Sequence, residues 1–210
     1  MRGRVQDVEG AASLVAEVVS GMPSTELIAV ATKPVLCADV DRANLRTALT
    51  AAGATRVVMI DAVKAAALGA AADLTEPLLV VDVGAELIEV ALLSDGAVVE
   101  ARSALLGLDD GLPTAVLVDE TADAIVELLR GDRGPQVADA LDRPILLTGG
   151  GGLDSDIAAA LGERLAAIVR SAPAPLTAAV RGAATVLQSA YRHPGIHSGL
   201  HLGVSRRSWR

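Results

Sequence analysis

The sequence predicts an α/β protein whose two halves are built differently, on three observations. Between Val5 and Ala72, runs with helical spacing alternate with short apolar runs, as in a parallel α/β layer. Between Leu78 and Ala101, three apolar runs follow one another with only turn signals between them, as in antiparallel strands. From Thr114 onward, helix and strand patterns alternate again.

Val5, Val8, Ala12, Leu14, Val15, Val18 and Val19 recur at three-to-four spacing and predict a helix to Ser20, stopped by Gly21-Met22-Pro23. Leu27–Ala31 has the composition of a buried strand, ended by Lys33-Pro34. Asp39-Val40-Asp41 opens a helix to about Ala52, its acids at the positive end and Gly53 at the stop. Arg56–Ile60 is a second buried strand, and Ala62–Ala72 a helix of small residues suited to close packing. Leu78–Gly84, Leu87–Leu93 and Ala97–Ala101 are the three antiparallel strands, the last two joined by the hairpin signal Asp95-Gly96. A long helix is expected within Thr114–Leu129, followed by a polar loop from Gly131 to Pro135. Pro144–Thr148 is a strand, Gly149–Gly152 a glycine turn, Asp154–Ile168 a helix and Leu176–Ala190 the last helix. Residues 191–210 form a basic tail rich in Gly and Arg, expected to be disordered.

Composition narrows the function. With 51% hydrophobic and 21% charged residues, the chain can build a real core. Arg56, Asp61 and Lys64 interrupt its most apolar region, so no membrane span is expected. The first ten residues lack an apolar block behind a basic start, so the chain is expected to remain cytoplasmic. A net charge of −8 opposes nucleic-acid binding, and 1% aromatic residues leaves few platforms for stacking bases. The single cysteine, Cys37, is expected to be a small buried hydrophobe. His193, His197 and His201 lie four apart, but Pro194, Gly195, Gly199 and Gly203 oppose the helix that would align them as metal ligands.

Several motifs carry a resemblance. Ala65-Ala66-Ala67-Leu68-Gly69, then Glu76-Pro77, then Leu79-Val80-Val81-Asp82-Val83-Gly84 with Glu89-Val90-Ala91, resemble the inter-domain helix and second phosphate segment of the MreB/Mbl bacterial actins. Ile145-Leu146-Leu147-Thr148-Gly149-Gly150-Gly151 is similar to their adenosine segment, and Pro175-Leu176-Thr177-Ala178 through Arg181-Gly182-Ala183 to their closing helix. The resemblance covers about residues 1–190 and implies a two-lobed actin-like ATPase core with ribonuclease H-like lobes. It assigns residues 1–74 and 175–190 to a truncated first lobe and 75–174 to the second. It implies nucleotide contacts at Asp82, Gly84, Gly149, Gly150 and Gly151, and a Mg²⁺ role, through water, for Asp82.

The departures from the family pattern are specific. The D-x-G-T strand pair that holds the phosphates has no counterpart in these residues, and both outer subdomains are missing. The family's D-I-G-G-G-T-T-E reads Asp82-Val83-Gly84-Ala85-Glu86-Leu87-Ile88-Glu89, which adds a Cβ and a negative charge and removes two hydroxyls. The family's catalytic Glu aligns with Ala62, leaving Asp61 as the one neighbouring acid that could replace it. ATP with Mg²⁺ is therefore expected to bind weakly or not at all, and no hydrolysis is expected.

The leading expectation is a morphogenetic, cytoskeletal protein that works by assembling with MreB-like homologues or cell-wall synthesis factors, reaching the membrane only through them. Its own membrane loop, Met22–Glu26, carries one apolar side chain of any size, too little for autonomous insertion. A homodimer or partner pairing is expected at a sheet edge left open at Leu27–Ala31 or Arg56–Ile60. The alternative is an ATP-binding switch or enzyme of the wider superfamily of actins, sugar kinases and chaperone ATPases, with a reduced cleft.

Overall fold

The computed structural model describes residues 4–22 and 26–192. The carboxylate of Asp7 accepts the N–H of Gly10 at 2.8 Å and so starts helix α1 (Val8–Val19). Strand β1 (Ile28–Lys33), helix α2 (Asp39–Ala51), strand β2 (Arg56–Asp61) and helix α3 (Ala62–Gly69) follow. β1 and β2 form a two-stranded parallel sheet in which Ile28 lies opposite Arg56 and Lys33 opposite Asp61. α1 lies against α2, and the chain entering α1 is tied to α2 by Asn44, whose amide donates to the Val5 carbonyl at 3.1 Å.

The second lobe holds β3 (Leu78–Val83), β4 (Ile88–Ser94), β5 (Ala97–Ala104), α4 (Thr114–Arg130), α5 (Gly134–Leu141), β6 (Ile145–Thr148), α6 (Ser155–Leu165) and β7 (Val169–Ser171). Its five strands run in the order β5-β4-β3-β6-β7, with β3 to β5 antiparallel and β6 and β7 parallel to β3. β3 and β4 are apolar almost throughout because both faces are covered. Leu79, Val81 and Val83 pack with Ile125 and Leu128 of α4 and Val137 of α5. On the other face, Leu78, Val80, Ala91 and Leu93 pack with Val63 and Ala67 of α3.

The last helix, α7 (Ala178–Arg192), follows β7 but packs against β1. Each lobe thus sends a helix onto the other lobe's sheet, and α3 and α7 cross. At the crossing a Cβ on Gly69 would collide with the carbonyl oxygen of Ala178, and one on Gly182 with that of Ala65. The small-residue composition of α3 serves this contact, with Ala65, Ala66 and Ala67 wholly buried.

The two lobes repeat one plan. The succession α4, β6, α6, β7, α7 has the order of α1, β1, α2, β2, α3, apart from the added short helix α5. In the second lobe β6 lies between β3 and β7; among the described residues β1 pairs with β2 alone.

Four expectations need correction. The polar loop at 131–135 is short: Pro135 sits in the first turn of α5, where its missing N–H costs nothing. α6 ends at Leu165 rather than Ile168, because Ala166 takes a left-handed conformation and its N–H caps the helix, after which residues 169–171 form β7. β5 continues to Ala104 after a bulge opposite Leu92 and Leu93. Cys37 is half-buried rather than enclosed. The tail from His193, with its three histidines, lies outside the described residues.

Candidate functional site

The sequence-selected residues sit where the ends of β3 and β6 meet the first lobe. Asp82 lies on the face of β3 that carries Val80, with Glu89 directly opposite on β4 and Thr148 opposite on β6. Two carboxylates therefore stand side by side on the face that looks toward the first lobe. Burial raises the Asp82 carboxyl to about 6. Glu89, only 3% exposed, is pushed up to about 7 by burial, with Asp82 and Asp61 adding to the effect and the N–H of Val35 and the charge of Lys33 opposing it. The N–H of Val35, just past β1, donates to Glu89 Oε1 at 2.6 Å and links the two lobes.

Asp61 ends β2 and is engaged by Lys33, its register partner on β1, in a hydrogen-bonded ion pair. Its carboxylate makes no capping bond to α3. Gly84 begins the turn after β3; its N–H donates to the Leu87 carbonyl at 2.9 Å, and its own carbonyl accepts the N–H of Leu108 at 3.0 Å. The carbonyl of Ala85 accepts the N–H of Asp109 at 2.8 Å. The turn is thus closed on the segment after β5.

The glycine run is held by packing. Gly149 has φ +76°, open to glycine at little cost, and a Cβ there would strike Asp82 Oδ1. A Cβ on Gly150 would come within 2.6 Å of Leu108 Cδ1, and one on Gly151 within 2.5 Å of Val83 Cβ. The protein's own side chains therefore approach all three glycines closely. Thr148 completes the corner by donating its hydroxyl to the Pro175 carbonyl at 3.1 Å.

A cavity of about 430 Å³ opens beside Asp82 and Gly84, and among the described residues its lining includes Asp82, Glu86, Glu89 and Asp109. Arg4 and Lys33, which line an adjoining cavity with Glu86, are paired with Asp41 and Asp61. Among the described residues no group of three or more His, Cys, Asp or Glu is placed to hold a metal ion. Sequence reasoning did not find the roles of Lys33, Glu89 and Asp109. The available signal was Glu89 itself, a lone acid in the apolar run Ile88–Leu93.

A family model for MreB/Mbl protein matches residues 1–111, more than half of the sequence. The chain belongs to the MreB/Mbl family. Its fold is that of the actin-like proteins. MreB5 of Spiroplasma citri bound to ADP superimposes with a TM-score of 0.81 at 19% identity, covering 95% of this chain and 80% of that one. The MamK double helical filament gives 0.73 at 17% identity, covering 90% and 79%. Ta0583, an archaeal actin homolog, gives 0.62 at 14% identity, covering 90% and 77%. No curated protein matches the chain. No described helix is long and apolar enough to cross a membrane.

Proposed function

We propose that this MreB/Mbl-family chain is a cytoskeletal protein of cell morphogenesis with a degenerate nucleotide site, acting through assembly with full-length relatives or wall-synthesis factors rather than by turning over ATP. The observation that carries the reading is the turn after β3, whose backbone is bonded to the protein itself beside a cavity lined by Asp82, Glu86, Glu89 and Asp109. An ATP-binding actin site needs N–H donors and hydroxyls facing the phosphates. Here the Gly84 N–H is taken up by the Leu87 carbonyl and the hydroxyl positions are apolar. The family relationship and the likeness to a filament-forming relative support assembly as what remains.

Calorimetric titration of the purified chain with Mg-ATP, paired with co-sedimentation against a full-length MreB-type protein, tests both parts. The expected result is ATP affinity weaker than about millimolar together with co-sedimentation. Tight ATP binding would replace the reading with that of a nucleotide-dependent switch, and failure to co-sediment would remove assembly with full-length relatives.

A further inference from the structure

Among the described residues the first lobe leaves two features uncovered. Among the described residues, β1 uses one edge for β2 and leaves the other unpaired. That edge lacks the usual protection of exposed strands: Ile28-Ala29-Val30-Ala31-Thr32 carries no proline or charge, and Lys33 is tied to Asp61. In the second lobe the equivalent strand, β6, has β3 in that place, and α4 covers β4 and β5 beyond it. α1 occupies the place of α4, but its principal neighbour is α2, and its apolar arc runs past that contact to Leu14 and Val18, 66% and 74% exposed.

We propose that a segment of this chain's own C-terminus, Leu200–Val204, adds as a strand to the open edge of β1, with its apolar side chains beside Leu14 and Val18 of α1. Three features select it. α7 packs against β1 and ends at Arg192, and the seven residues before Leu200 can span up to about 23 Å when extended, enough to round a sheet edge. Leu200, Leu202 and Val204 alternate with His201 and Gly203, the period of a strand with one apolar face, and a strand added to an existing edge needs no stability of its own. The charges match: beyond Val204 come Arg206, Arg207 and Arg210 with no acid, whereas α1 and its cap carry Asp7, Glu9 and Glu17 with no base. The proposal is independent of the nucleotide reading.

Amide exchange followed by NMR tests it on the full chain, on a chain ended after Arg192, and on full-length Leu202→Asp. In β1 alternate N–H groups point away from β2. Those amides are expected to exchange about tenfold or more slowly in the full chain than in either variant, at any protein concentration, while the β4 amides stay equally protected and show that all three chains are folded. Equal β1 exchange in all three chains would overturn the proposal. So would protection that survives both changes, or protection that fades on dilution, which would assign the edge to a second copy.

Discussion

Glu89 on β4 accepts the backbone N–H of Val35, which follows β1, at 2.6 Å, so the second lobe holds the first through a buried carboxyl.

Burial raises Glu89 from 4.5 to about 7 and Asp82 from 3.8 to about 6, so the folded chain keeps these protons to higher pH than the unfolded chain does. Stability from the protonated pair is fully present below the unfolded values and is lost as pH rises toward 7. Urea unfolding between pH 5 and 7.5 is expected to show stability falling, with Glu89 contributing on the order of 3 kcal/mol. Glu89→Gln keeps an acceptor for Val35 and is expected to flatten most of that slope. An unchanged slope would assign the pH dependence to other groups.

At the α3–α7 crossing, Gly182 meets the Ala65 carbonyl with no room for a side chain. Gly182→Val is expected to cost about 3 kcal/mol in urea unfolding or to force the helices apart, visible as a larger radius in small-angle scattering. Gly21, where an added Cβ would meet nothing within 4 Å, is the control: Gly21→Ala should stay within about 0.5 kcal/mol.

Asp61 is held by Lys33, whose side chain is only 14% exposed. Asp61→Ala strands that cation and is expected to lower stability by about 1–3 kcal/mol. Phosphate release should stay at background before and after the change. Turnover in the unmodified chain that Asp61→Ala abolishes would make Asp61 a catalytic residue and place the enzyme reading first.

Restoring glycines at the turn tests how much of the proposed weakness toward nucleotide lies there. Ala85→Gly with Glu86→Gly removes one negative charge and two Cβ atoms but leaves Leu87, Ile88 and three of the cavity's carboxylates in place. ATP affinity measured by calorimetry is expected to improve by less than about tenfold, the order of one charge in a partly solvated site. Restoration to tight binding would place the whole defect in those two residues.

Local pattern determined a good deal by itself. Hydrophobic period and turn residues placed both strands of the first lobe, the three antiparallel strands and most helices, because alternation and helical spacing record which faces are buried. The motifs from Ala65 to Gly84 and from Ile145 to Gly151 pointed to the actin-like family, and residues 82, 84 and 149–151 do meet at one corner of the fold. Short elements were illegible: three residues of β7 carry too little period, and Gly134-Pro135 reads equally as a turn or a helix start. Tertiary structure alone decided the pairings that matter at the cleft. Lys33 meets Asp61 across 28 positions through strand register, and Glu89 meets Val35 across 54 because α3 and α7 lock one lobe against the other. Gly182 had a sequence signal but no visible partner until the crossing brought it to Ala65. Periodicity states that a residue is covered; register and helix crossing, set by the packing of distant segments, decide what covers it.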